Sequence, residues 1–90
     1  MTVPKEERLL DFPCDFQIKM MGREQPAFRN AAVALIERHT GKIRSDAIRS
    51  VLSRNGNFLS ITITIKAQNQ QQLDDIYSDL TEHEEILVAL

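Results

Sequence analysis

The sequence predicts an α+β fold with the element order βαββαβ, and three observations predict it. Residues 58–67 (FLSITITIKA) alternate between apolar and polar side chains, the period of a half-buried strand. Residues 25–40 and 69–81 instead space their apolar side chains three and four apart, the period of an amphipathic helix. Asn55-Gly56 stands between two strand-like runs and is a strong hairpin signal, because a type I′ turn needs positive φ at both central residues.

Residues 1–13 form a polar leader whose closing Leu9, Leu10 and Phe12 are apolar enough to pack down on the domain of residues 14–90. The first strand is expected over 14–21. Phe16, Ile18 and Met20 fall on one side of it and Asp15, Gln17 and Lys19 on the other, with Gly22 ending the run. The first helix is expected over 25–40, with Phe28, Ala32, Leu35, Ile36 and His39 near one face. Pro26 suits its first turn, where a missing N–H is no loss, and Gly41 suits its C-terminal cap.

The second strand is expected over 43–54, with Ile48 and Leu52 facing inward. A two-residue Asn55-Gly56 loop sets Leu52 opposite Leu59, Ile48 opposite Ile63 and Arg49 opposite Thr62. Apolar then meets apolar on one face and polar meets polar on the other, so turn and pattern agree. In the second helix (69–81) Asn69 is the cap, Gln72 completes a capping box, and Leu73, Ile76, Tyr77 and Leu80 form the buried stripe. Asp74 and Asp75 are expected in its first turn, where the helix dipole favours them. Residues 85–90 read as a short closing strand.

A hairpin between the middle strands and right-handed crossovers on either side give a split βαβ pair, the ferredoxin-like sandwich. Its four-stranded antiparallel sheet has the order 4-1-3-2, with both helices on one face. The other face is expected to be polar, carrying Asp15, Gln17 and Lys19 from the first strand and Ser60, Thr62, Thr64 and Lys66 from the third.

Ninety residues give a thin core, burying roughly 60–65% of the unfolded surface, which makes a homodimer a reasonable way to bury more. The hydrophobic share of 42% and charged share of 27% are those of an ordinary globular domain. No apolar run is long enough to span a membrane, no secretory signal opens the chain, and the single Cys14 has no disulfide partner; a cytoplasmic protein is expected.

Recognition of single-stranded RNA on this fold stacks bases on aromatic residues of the central strands. The matching positions here are Ser60, Thr62 and Thr64, and the net charge is −2, so no nucleic-acid partner is expected. His39 and His83 lack partners at metal-ligand spacing, and the carboxylate runs Asp74-Asp75 and Glu84-Glu85 point different ways. Neither catalytic residues, nor a metal site, nor a cofactor follows from the sequence.

The charge is unevenly spread. Residues 22–54 hold Arg23, Arg29, Arg38, Lys42, Arg44, Arg49 and Arg54 against Glu24, Glu37 and Asp46. Residues 55–90 hold Lys66 alone against Asp74, Asp75, Asp79, Glu82, Glu84 and Glu85. In the expected fold these become a basic and an acidic edge. They serve either as solvated faces or as surfaces that pair with another copy or an acidic ligand.

Leu9-Leu10-Asp11-Phe12-Pro13, Lys19-Met20-Met21-Gly22 and the hairpin stretch Ser53-Arg54-Asn55-Gly56-Asn57-Phe58-Leu59-Ser60 resemble the YbeD-like family of small bacterial proteins, a domain of unknown function. The resemblance runs from the leader to the closing strand. It implies a ferredoxin-like fold similar to ACT-type regulatory domains, which bind amino acids, and it implies no enzymatic activity. Ligands of such domains sit near the loop after the first strand. On this chain that is Met21-Gly22-Arg23-Glu24-Gln25, with Gly22, Arg23 and Gln25 as the ligand-binding candidates. The function implied is a non-enzymatic regulatory or interaction domain binding a small polar metabolite such as an amino acid. The alternative is a protein-binding adaptor without a ligand.

Overall fold

The computed structural model describes residues 11–90. Leu9 and Leu10 lie outside the described residues. Phe12 is half-buried and packs against the core, as expected of the end of the leader.

The elements are β1 (Cys14–Arg23), α1 (Pro26–Thr40), a 3-10 turn (Ser45–Ala47), β2 (Ile48–Leu52), β3 (Phe58–Ala67), α2 (Gln70–Glu82) and β4 (Val88–Ala89). The sheet order is β2-β3-β1-β4, the predicted 4-1-3-2 read from the other edge. β1 and β3 are the central strands and pair antiparallel along their full lengths, from Cys14 opposite Ala67 to Arg23 opposite Phe58. The two helices pack on one face of the sheet. The fold is ferredoxin-like.

The core follows from the alternation. Ile18 and Met20 of β1 and Leu59, Ile61, Ile63 and Ile65 of β3 are buried against Phe28, Ala32, Leu35 and Ile36 of α1 and Leu73, Ile76 and Leu80 of α2. Burying each such side chain contributes roughly 1.5–3 kcal/mol relative to leaving it in water. The helix ends are closed by local bonds. Asn69 Oδ1 accepts from Gln72 N at 2.8 Å. Gln72 Oε1 reaches back to Gln68 N, one residue earlier than the capping box expects. At the end of α1, Gly41 adopts φ +83° and donates its N–H to Glu37 O.

Several local details differ from expectation. The hairpin register is the predicted one, with Ile48 opposite Ile63, Arg49 opposite Thr62 and Leu52 opposite Leu59. The turn itself is not a two-residue type I′. Among the described non-glycine residues none has positive φ, so Asn55 stays on the ordinary side, and in this turn only Gly56 is left-handed, at +75°. Ser53 O accepts from Gly56 N and Ser53 N donates to Phe58 O, which closes a four-residue loop over Arg54–Asn57.

β2 is shorter than expected, because residues 45–47 coil into the 3-10 turn before the strand begins. Leu52 is 52% exposed rather than inward because it lies on the edge strand β2, all of which is exposed beyond Ile48, while its partner Leu59 is buried. β1 does not end at Gly22 but runs on to Arg23. Asp74 and Asp75 fall beyond the first turn of α2 and accept instead from the Gln70 and Gln71 side chains, one turn before them. β4 is reduced to two ladder residues, with main-chain bonds from Leu87 and Leu90 extending it along β1.

The open face has the predicted polar residues on β1 and β3, but β2 and β4 add an apolar row. Register places Val51 beside Ser60, and Met21 between Ser60 and Val88. Val51 is 62% and Val88 44% exposed. No helix among the described residues is long and apolar enough to cross a membrane.

Candidate functional site

The turn from β1 to α1 is held by contacts on three sides. Glu24 N donates to Asn57 O at 3.0 Å, joining the turn to the β2–β3 hairpin. Gln25 Nε2 donates to Glu85 Oε1 at 2.7 Å, joining it to the loop before β4. Arg29 Nε and an Arg29 terminal nitrogen donate to the two carboxylate oxygens of Glu24, bracing the turn against the first helical residues. That bidentate hydrogen bonding holds the Glu24 carboxyl below the usual carboxylate range, the attraction of the guanidinium charge adding to it.

Beneath the turn, Gly22 is buried. A Cβ on it would overlap the ring of Phe28 and lie 2.7 Å from Glu85 O. The glycine therefore allows α1 and the α2–β4 loop to close directly on the β1 backbone. Its φ is not positive, so steric room rather than backbone freedom is the requirement.

Above this contact lies a recess of about 190 Å³ lined by Arg23, Gln25, Glu84, Glu85 and Leu87. The Arg23 guanidinium lies 5.6 Å from the centre of the Phe58 ring, a cation–π contact that steadies it at one side. Glu84 and Glu85 supply negative charge to the same recess, and Glu85 N donates to His83 Nδ1 at 3.1 Å, which fixes the loop carrying them. Of the three candidate residues, Arg23 and Gln25 line the recess and Gly22 does not. Glu84, Glu85 and Leu87 were not among the candidates. Their approach depends on a contact 60 residues apart in the chain, which no local spacing signals.

At the opposite end of the sheet is a larger cavity, of about 440 Å³, between the chain following α1 and the end of β3. His39 lies at its rim with Nε2 2.6 Å from Asp79 Oδ2, bridging α1 and α2. Among the described residues no group of three or more His, Cys, Asp or Glu side chains is arranged to hold a metal ion.

The family model for "Protein of unknown function (DUF493)" matches residues 7–90. The chain belongs to this family. A UPF0250 protein of Paraburkholderia phymatum is 40% identical over 87 residues, covering 97% of this chain and 98% of the relative. A UPF0250 protein of Neisseria meningitidis serogroup A is 38% identical over 91 residues, covering 100% of both. Protein HP0495 from H. pylori, solved in solution, superposes with a TM-score of 0.65 over 100% of this chain and 94% of its own, at 12% identity. That likeness shows the fold alone. The family expected from the leader, the Met-Gly and the hairpin residues is the family found.

Proposed function

We propose that this DUF493 domain is a non-enzymatic regulatory module that binds a small zwitterionic metabolite, an amino acid being the simplest, in the recess between the β1–α1 turn and the α2–β4 loop. The observation that carries the reading is the pairing of opposite charges on one recess, Arg23 on one side and Glu84 and Glu85 on the other. An α-carboxylate suits the Arg23 guanidinium and an α-ammonium suits the glutamates. At about 190 Å³ the recess is below the 300–1,000 Å³ of drug-sized pockets, which restricts the ligand to a small one. Gly22 acts by positioning, since it lets Phe28 of α1 and the Glu85 backbone close on β1. A cytoplasmic location and the absence of a cofactor belong to the same reading. Thermal-shift measurements across the amino acids test it: at least one small amino acid raises the melting temperature, and Arg23→Ala abolishes the rise while keeping the unliganded melting temperature. No response to any amino acid sinks the proposal.

The second reading, a protein-binding adaptor without a ligand, is favoured by the exposed apolar side chains Val51, Leu52 and Phe58 at the hairpin and Leu87, Val88 and Leu90 at β4. A second copy of the chain is the partner proposed. The sheet order sets the Arg-rich β2 segment and the acidic α2–β4 segment at opposite edges, so two copies can meet with complementary charge. Sedimentation of the protein at low and high salt tests this: a dimer weakened by salt supports it, and a monomer at every concentration and salt level removes it.

A further inference from the structure

The larger cavity exists because β2 is too short to cover β3. β2 pairs with β3 only as far as Ile48 opposite Ile63, while β3 continues to Ala67. Lys19 exchanges both main-chain bonds with Leu90, so it and its alternate neighbours in β1 face β4. The intervening β1 residues face β3, and the pairing of Ile18 with Ile63 and Phe16 with Ile65 then turns Thr64 and Lys66 toward the uncovered side. Thr64 N–H is the donor to Ala47 O that closes the Ile48–Ile63 pair, whereas no ladder partner meets the Lys66 N–H among the described residues, and the Lys66 carbonyl is taken by Gln68 Nε2. The edge is left with one main-chain donor, the Lys66 N–H, on the side of the cavity.

The charged side chains lining the cavity are of one sign, although Asp15 stands opposite Lys66 in the β1–β3 ladder. Lys42, Arg44 and Lys66 line the cavity, and no Asp or Glu does. Arg44 has one exposed partner, Asp46, at 3.1 Å. Lys42 and Lys66 have no carboxylate within 4.0 Å among the described residues. The nearby Glu37 carboxylate is engaged by Ile43 N at 2.9 Å, and Asp79 by His39. The volume of about 440 Å³ is that of a small-molecule site.

We propose that the uncovered end of β3 is a binding site for a small organic anion, one bearing phosphate or carboxylate groups, with its charges held by Lys42, Arg44 and Lys66 and an oxygen by the Lys66 N–H. A main-chain donor flanked by cationic side chains is the chemistry that recognises such oxygens. The site is independent of the β1–α1 recess.

Titration of the full chain at constant ionic strength with inorganic pyrophosphate and, separately, succinate, followed residue by residue by amide NMR, tests it. One or both anions shift the amides of residues 42–47 and 64–66 saturably and leave residues 22–25 unmoved; which anion does so tells phosphate from carboxylate. The double variant Lys42→Gln with Lys66→Gln, both exposed positions, weakens binding roughly tenfold or more, whereas Lys19→Gln on the open face leaves it unchanged. Shifts scattered over all lysines, or equal affinity in the double variant, overturn the proposal. So does binding of an acidic peptide along this edge with no response to either small anion.

Discussion

Gln25 and Glu85 are bonded side chain to side chain at 2.7 Å, joining the start of α1 to the loop that enters β4. Gly22 lies beneath that bond, with Phe28 and the Glu85 carbonyl closed upon it. The candidate recess is thus a rigid feature of the fold: its two walls come from distant parts of the chain and are held at a fixed separation by a bond and a close contact.

Gly22→Ala should destabilise the domain by roughly 1–3 kcal/mol, because the added methyl overpacks a site filled by Phe28 and backbone. Urea unfolding reads the change. Combining it with Phe28→Leu should give a double-mutant cycle in which the two losses do not add, since the smaller side chain makes room for the methyl. An unchanged midpoint in Gly22→Ala contradicts the close contact.

The hairpin correction predicts unequal roles for its two turn residues. Gly56 is left-handed at φ +75°, so Gly56→Ala should cost about 1–2 kcal/mol even though a Cβ there meets nothing within 4 Å. Asn55 is not left-handed, and Asn55→Ala should change the urea midpoint little. Equal, large losses at both positions would instead indicate the type I′ turn.

Asn69→Ala removes the acceptor for Gln72 N at the head of α2 and should cost about 1 kcal/mol, with Asn69→Asp close to the parent protein. Thermal unfolding of the three proteins side by side distinguishes them. A loss of the same size in Asn69→Asp would place the effect elsewhere than the cap.

Burial raises the Tyr77 phenol above its ordinary value of 10.0, and its hydroxyl donates to Leu90 O at 2.8 Å. A folded pKa above the unfolded one contributes stability that is complete below the unfolded value and is lost as pH rises through the folded one. Unfolding free energy should therefore fall above pH about 10, and the fall should be smaller in Tyr77→Phe. Identical alkaline profiles for the two proteins would contradict the assignment.

Much of the fold was legible because its strongest signals are local. The alternation of residues 58–67 fixed which side chains of β3 are buried, and Ile48 and Leu59 found their predicted partners through pattern matching across the hairpin. Where reading failed, the deciding contact was non-local. Leu52 looks inward by parity, yet it is exposed because it lies on the edge strand, while Leu59 opposite it is buried. Gly22 reads as a strand breaker, yet it serves as a packing space for Phe28. Arg23 and Gln25 were candidates through family resemblance, and both line the recess. Glu84 and Glu85 were not, because they arrive through the return of β4 to the sheet. The uncovered edge at Lys66 was hidden for a related reason: the 3-10 turn at Ser45–Ala47 shortens a strand whose sequence reads as longer.

The most direct test of the recess is titration of the protein with glycine and L-alanine, followed by amide NMR. Binding as proposed shifts residues 22–25 and 84–87 together and saturably, leaves 42–47 and 64–66 still, and disappears in Arg23→Ala. Saturable shifts that avoid both walls of the recess, or that persist unchanged in Arg23→Ala, would contradict it.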